Sequence, residues 1–245
     1  KRQDIYSDPQ LYDAAHLWKT NDIEFIASAA AEFGGPVLEM ASGTGRLASP
    51  ILEKGINYTG IELSSSFVKF SRKKLERYGD LAQILEGDIR NIDLDQQFQF
   101  IFIGFNSIFH LLKNEDVASF LSCAYSHLLD NGLFLIDAFV PHPIFLYRAK
   151  QKYYVMEFDW PSGEHCIVNE TNDYDPNSQI NHIHWYFNTS GNKTDEYQFD
   201  MHMIFPDTMD RLLTEAGFVI KDKYGDYDKT PLSPESHLQI YLCGK

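Results

Sequence analysis

A glycine-rich turn with acidic residues before and after it is the part of this sequence best suited to chemistry. Gly43-Thr44-Gly45-Arg46-Leu47-Ala48 fits G-x-G-x-x-A, behind a short apolar run and ahead of a helical pattern. Glycines at 43 and 45 allow a tight turn and let backbone approach a ligand with no Cβ in the way. The same residues also serve as a plain structural turn. Two nucleotide cofactors suit such a turn, and they differ in charge. A dinucleotide presents a pyrophosphate, which wants bare N–H groups at a helix N-terminus and no acid beside it. S-adenosylmethionine presents a sulfonium, an ammonium and one carboxylate. Glu39, four residues before Gly43, opposes a pyrophosphate and complements an ammonium. The charge pattern favours S-adenosylmethionine, with an NAD(P)-type dinucleotide as the alternative.

Two further acids fit an adenosine site. Glu62 closes the next apolar run, where a carboxylate accepts from both ribose hydroxyls, or else supplies a negative charge to the helix that Ser64 to Ser66 begin. Asp88, in Glu86-Gly87-Asp88-Ile89, is placed to accept from an adenine amino group, with the Ile89 amide as a donor to the ring. Taken singly, Asp88 is equally a turn residue. Three acids at successive strand ends around one glycine loop are harder to explain by turns alone.

The elements that must position these residues alternate. Apolar spacing predicts a helix over 22–33, stopped by Gly34-Gly35, then a strand at 36–40 and a helix from Arg46 to about Lys54 that Pro50 kinks or confines. Strands follow at 57–63, 81–86, 98–105 and 133–139, with helices at 64–78 and 117–129, the last ended by Asp130-Asn131-Gly132. This alternation implies right-handed βαβ units and an α/β, Rossmann-like, doubly wound and mainly parallel sheet. From 153 to 205 the pattern changes to period-two stretches such as Ile180-Asn181-His182-Ile183-His184-Trp185-Tyr186-Phe187. Turn signals at Trp160-Pro161-Ser162-Gly163, Asp175-Pro176-Asn177-Ser178 and Ser190-Gly191-Asn192 divide it into three or four antiparallel strands. The expected organisation is a nucleotide-binding domain of residues 1–140 and 206–245, with 141–205 inserted. A helix at 207–216 and strands at 218–224 and 237–243 complete the main sheet, the last two pairing antiparallel at its edge.

Composition narrows the partners. The 245 residues carry 21 Lys and Arg against 35 Asp and Glu, a net charge of −14 that repels phosphate backbones and anionic lipids and tolerates a cationic ligand. Hydrophobic content of 44% with 23% charged residues is that of a folded globular chain. The basic cluster Lys69 to Arg77 falls at helical spacing and reads as a solvated face. No run reaches membrane-span length, and the start, Lys1-Arg2-Gln3-Asp4, lacks both Met and a signal-peptide core, as in a trimmed or processed chain. Cys123, Cys166 and Cys243 lie far apart and match no metal-ligand spacing, so a reduced, cytoplasmic setting is expected. His182 and His184 share a strand face but lack a third ligand at zinc spacing.

Four segments together resemble successive motifs of class I S-adenosylmethionine-dependent methyltransferases. They are Val37 to Arg46, Gly60-Ile61-Glu62-Leu63-Ser64, Glu86-Gly87-Asp88-Ile89-Arg90 and Asn106-Ser107-Ile108-Phe109-His110-Leu111. More narrowly, Tyr12-Asp13-Ala14-Ala15-His16-Leu17-Trp18-Lys19 is similar to the N-terminal Y-D-x-x-H-x-x-K segment of amino-sugar N-methyltransferases. Ser42 stands where Cys is common, and Thr20-Asn21-Asp22 replaces the glycine-rich stretch those sugar enzymes carry. The resemblance implies that Glu39 and the Gly43 to Gly45 loop meet the methionine moiety, Glu62 the ribose, and Asp88 with Ile89 the adenine; Arg46, Leu63 and Phe105 are further candidate cofactor-binding residues. It also implies an inserted sheet that helps the protein dimerise.

On the acceptor side, methyl transfer needs a positioned nucleophile, exclusion of water and, where required, removal of a proton. The crevice of a doubly wound sheet lies beyond the strand carboxyl ends, where Asn106 and His110 arrive. Tyr12 is placed to close over the methyl group. His110 is a candidate base or orienting group, or a His that satisfies a helix-start backbone group. His142, between two prolines, reads as a loop residue. Tyr153, Tyr154, Trp185 and Tyr186 are candidates to roof an acceptor pocket or to form core. The expected reaction is methylation of a small molecule, on nitrogen in preference to oxygen. The alternatives are a dinucleotide-dependent oxidoreductase and a catalytically silent binding protein.

Overall fold

The computed structural model describes residues 5–160, 163–191 and 193–245. The opening Lys1 to Asp4, together with Pro161, Ser162 and Asn192 of two expected turns, lies outside the described residues. Asp8 starts the first helix, α1 (Pro9–His16): its carboxylate accepts from the amides of Gln10 and Leu11, and Pro9 sits in the first turn, where a missing N–H does no harm. α2 (Asn21–Phe33) follows, burying Ile26, Ala27 and Ala30 as its spacing predicts. β1 (Val37–Met40) and β2 (Tyr58–Glu62) flank a turn and a short α3 (Ala48–Leu52), so the helix expected from Arg46 starts later and Pro50 falls within its first turn. α4 (Ser65–Leu75), β3 (Ala82–Glu86), β4 (Phe98–Ile103) and α5 (Asn114–His127) come next.

β5 (Leu128–Phe139) begins directly after α5. Asp130-Asn131-Gly132 therefore lies inside a strand instead of ending a helix. Phe98 pairs with Leu128 and Phe100 with Leu133, so the intervening residues bulge out of the ladder, with Asp130 and Asn131 exposed. A four-residue α6 (Pro143–Leu146) leads into β6 (Tyr153–Asp159), β7 (His165–Asp175), β8 (Ile180–Thr189) and β9 (Thr194–His202). α7 (Pro206–Glu215), β10 (Val219–Tyr224) and β11 (Leu238–Gly244) close the chain.

The described residues form a seven-stranded sheet of order β10-β11-β5-β4-β1-β2-β3 and a separate four-stranded antiparallel sheet β6-β7-β8-β9. β10 and β11 pair antiparallel at the edge, as expected, and β11 pairs antiparallel with β5. Alternate residues of the central strands feed two cores. Val37, Tyr58, Phe100 and Phe102 pack with α2, α3 and α4; Leu38, Ile61, Ile101 and Ile103 pack with α5 and α7. A third core joins Leu11 and Ala15 of α1 to Met156, Val168, Phe187 and Tyr197 on one face of the inserted sheet. The N-terminal helix is thereby wedged between that sheet and the carboxyl ends of the main strands. Among the described residues no helix is long and apolar enough to cross a membrane.

Candidate active site

The strand order reverses between β1 and β4, and the turns leaving these two strands carry strained backbone. Ala41, Phe105 and Asn106 have φ of +64°, +50° and +63°, and Gly43 and Gly45 have +57° and +72°. Positive φ at three residues with a Cβ is sustained only where surrounding contacts over-determine it, which is common at functional sites. Here those contacts can be named. The Asn106 side-chain oxygen accepts from the Phe139 amide (2.7 Å), and the Asn106 amide donates to the Asp137 carbonyl (3.1 Å). The Phe105 amide donates to the Asp137 carboxylate (3.3 Å). Asn106 thus fastens the end of β4 to the end of β5.

On the cofactor side, Glu39 is 4% exposed and accepts a short hydrogen bond from the Tyr58 hydroxyl. Burial pushes its carboxyl up to about 8, against the pull of Tyr58 and of Arg46. Glu62 receives the Gly43 amide on one oxygen (2.9 Å) and the Ser64 amide on the other (2.7 Å). Burial raises its pKa while those amides oppose the rise. Arg46 forms a bidentate pair with Asp22 (2.8 and 2.6 Å), donates to the Lys19 carbonyl, and lies over the Phe105 ring at 5.2 Å. Among the described residues, its Nε hydrogen and one Nη2 hydrogen have no hydrogen-bond partner. Leu63, which follows Glu62, is 69% exposed. Asp88 is gripped by the Arg90 guanidinium, which also reaches Asp116 (2.7 Å) and holds the Asp88 carboxyl below its usual range. Ile89 packs against the α5 side of the core.

The structure brings Tyr12, His16 and Lys19 of the N-terminal segment onto the same strand ends. Asp13 accepts a short hydrogen bond from Thr44 of the glycine loop and pairs with Lys74 of α4 (2.8 Å). The Tyr12 ring packs against His16 and Phe67, and burial pushes its phenol up. Lys19 donates to Asn21 and to the Tyr227 hydroxyl, both at 2.8 Å, and Tyr227 in turn reaches Asp137 at 3.0–3.1 Å. His110 Nε2 meets the Tyr6 hydroxyl at 2.8 Å, and its ring lies 6.1 Å from Phe199 of the inserted sheet. Trp185 reaches toward His16 at 6.0 Å and is anchored by Glu170 (2.6 Å), which Arg148 pairs. Tyr153 and Arg148 stack, whereas Tyr154 is exposed and Tyr186 lies under Lys152 on the opposite sheet face, away from α1. His142 caps α6.

The fit of the two cofactors can be tested on these contacts. A pyrophosphate needs free loop amides, yet the Gly43 amide is committed to Glu62 and the Gly45 amide to the Ser42 carbonyl (3.0 Å). A ribose needs acceptors, and each Glu62 oxygen keeps a lone pair beyond the amide it already binds. The space where a Gly43 Cβ would stand is open, with no atom within 4 Å. The pocket suits a nucleoside with a cationic amino-acid arm and not a diphosphate.

Residues 37–132 match the family described as "Methyltransferase domain". Over that stretch, about two fifths of its length, the chain is similar to methyltransferase domains. It is 26% identical over 240 residues to a glycine/sarcosine/dimethylglycine N-methyltransferase of Actinopolyspora halophila, covering 96% of this chain and 40% of that one. This chain thus spans about two fifths of that relative's length. Among solved structures it is similar to the CcbJ methyltransferase of Streptomyces caelestis, with a TM-score of 0.84, 21% identity and 98% of each chain covered. It is also similar to an S-adenosylmethionine-bound amino pentose methyltransferase of Micromonospora echinaspora, with a TM-score of 0.73, 15% identity and 99% of each chain covered. Its fold is that of the class I S-adenosylmethionine-dependent methyltransferases.

Glu39, Glu62, Arg46, Phe105 and Tyr12 converge as expected from the sequence, and His110 faces the same region. Asp88 sits further out with Arg90. Sequence reasoning missed Tyr6, Tyr227 and the buried Lys19–Tyr227–Asp137 chain. Only the first member of that chain has a sequence signal, since Lys19 and His16 fall at helical spacing from Tyr12.

Proposed function

We propose that this methyltransferase domain moves a methyl group from S-adenosylmethionine to the nitrogen of a small amine. The observation that carries the reading is the commitment of the glycine-loop amide to Glu62 beside the buried Glu39. Glu39 and the open space over Gly43 would take the methionine ammonium, the spare Arg46 hydrogens its carboxylate, and Glu62 the ribose hydroxyls. Leu63, Asp88 and Ile89 would border the adenine. When bound, the cofactor supplies a methyl carbon already activated by its sulfonium.

This chain's own residues then have to exclude water and orient the acceptor. Residues 1–140 and 206–245 hold the cofactor in this reading, and residues 141–205 roof the acceptor with Trp185 and Phe199. Nitrogen is favoured over oxygen because a neutral amine attacks without losing a proton first, whereas a hydroxyl needs a base. Two of the groups at hand are poor bases: burial pulls His16 down to about 4, and it holds Tyr12 in its phenol form.

Calorimetry with S-adenosylhomocysteine and with NADH tests the cofactor. Binding of the first and not the second is expected, and the reverse would replace a methyltransferase by an oxidoreductase. Mass spectrometry of a panel of small amines and hydroxyl compounds, incubated with S-adenosylmethionine, then tests the acceptor atom.

A further inference from the structure

Two imidazoles face the junction of the main sheet and the inserted sheet, and they are in different states. His110 Nε2 is engaged by Tyr6. His16 is anchored through its other nitrogen: Nδ1 lies 2.7 Å from the Tyr12 carbonyl oxygen. A carbonyl only accepts, so Nδ1 carries the hydrogen and, in the neutral ring, Nε2 carries the bare lone pair. The ring is neutral at ordinary pH because its burial, to 5% exposure, disfavours the imidazolium. No hydrogen bond among the described residues reaches His16 Nε2, and this nitrogen is not one of their sealed, unpaired polar atoms.

The walls around that lone pair come from three parts of the fold. Measured between ring centroids, the imidazole lies 4.2 Å from Tyr12 on the same helix, 5.3 Å from Phe105 at the strained end of β4, and 6.0 Å from Trp185 on β8. Phe105 also carries the Arg46 guanidinium of the glycine loop on its ring. The imidazole therefore stands where the cofactor half of the site meets the acceptor half. Packing fixes its ring, and its i, i+4 hydrogen bond fixes its tautomer.

Building on the amine-methylation reading above, we propose that His16 binds the acceptor: Nε2 accepts a hydrogen bond from the amine N–H and turns the nitrogen lone pair toward the methyl group. Such a contact selects by chemistry. Primary and secondary amines keep an N–H for it while presenting a lone pair, whereas a neutral tertiary amine has none. Methylation therefore runs from primary to secondary to tertiary and stops short of the quaternary ammonium.

The test uses the full chain with glycine, sarcosine and dimethylglycine, and with the corresponding primary, secondary and tertiary amino sugars. Two variants accompany it. His16→Phe keeps a ring in the aromatic nest but removes the acceptor nitrogen, and His16→Gln restores an acceptor oxygen at similar reach. The expected result is product up to the tertiary amine, and S-adenosylhomocysteine affinity within about threefold of wild type in both variants. Loss of one such hydrogen bond corresponds to a kcat about tenfold to a hundredfold lower in His16→Phe, with part of it regained in His16→Gln. Wild-type kcat in His16→Phe, equal loss in both variants, a parallel loss of S-adenosylhomocysteine affinity, or quaternary product formed as fast as tertiary would each overturn the assignment. A wild-type protein that methylates hydroxyls and no amine sinks the amine reading itself; one that methylates amines with His16→Phe unimpaired sinks only the role of His16.

Discussion

At the scale of single residues, Glu39 is the group whose ionisation should be visible. Its carboxyl moves from an ordinary 4.5 to about 8 on folding because burial disfavours the charge. Folding therefore takes up a proton between those values, and the contribution of Glu39 to stability is complete below about pH 4.5 and lost as pH rises through about 8. A ligand ammonium beside it favours the carboxylate, so binding expels that proton and affinity climbs with pH toward about 8. Calorimetry of S-adenosylhomocysteine at pH 7, in buffers of different ionisation enthalpy, should show proton release in wild type and none in Glu39→Gln. The same substitution should weaken binding by tenfold to a hundredfold, the range of ~1.5–3 kcal/mol for a charged hydrogen bond. Asn106 is a structural counterpart. Asn106→Ala leaves the Phe139 amide unpaired and puts an alanine at positive φ, which should together cost about 2–4 kcal/mol and lower Tm by roughly 5–10 °C. Asn106→Gly should recover the backbone share only. Glu39 and Glu62 were legible because a strand end beside a glycine loop restricts where a side chain can go. The Asp137–Tyr227 contact was not, because nothing local in either segment specifies a partner ninety positions away.

Among the elements, α1 is the one that periodicity does not reveal. Its eight residues bury Leu11 and Ala15 against the inserted sheet, and only the Asp8-Pro9 pair signals its start. The strands of the main sheet were legible as apolar runs, but their exits were not. Phe105 reads as a continuation of β4 and instead turns left-handed, and Asn131-Gly132 reads as a helix stop and instead forms a bulge in β5. In both cases pairing with a neighbouring strand overrides the local signal. Two polar latches hold the N-terminal segment: Asp13 on Thr44 and Lys74, and Lys19 on Tyr227 above Asp137. The second is buried, so it matters more than an exposed pair would. Tyr227→Phe removes the hydroxyl that Asp137 and Lys19 share and leaves a buried acid with one partner fewer. Amide exchange across residues 9–21 should accelerate in that variant, and bound S-adenosylhomocysteine should slow it again. Unchanged exchange would mean that apolar packing alone holds the segment.

For the whole molecule, the mainly parallel, doubly wound sheet followed from alternation and handedness, and the inserted sheet from a change of period, because both rules act over long stretches. Charge is the other global property, and it bears on the acceptor. At −14 the protein attracts cations over a distance set by salt, about 30 Å at 0.01 M and about 8 Å at 0.15 M. Simple amines in neutral water are mostly ammonium ions, which that field draws in, and the fraction that has lost its proton to water is the form that reacts. The kcat/KM for such an amine should therefore fall, by tenfold or more where encounter limits the rate, as salt rises across that range at fixed pH. An acceptor joined to a diphosphate is repelled by the same field, so its kcat/KM should rise with salt instead. Because kcat reports steps after encounter, it should stay constant in both series, which separates steering from a salt effect on folding. A salt-independent kcat/KM for every amine would confine recognition to the short-range contacts of Trp185, Phe199 and the histidines, and would remove the net charge from any part in choosing the substrate.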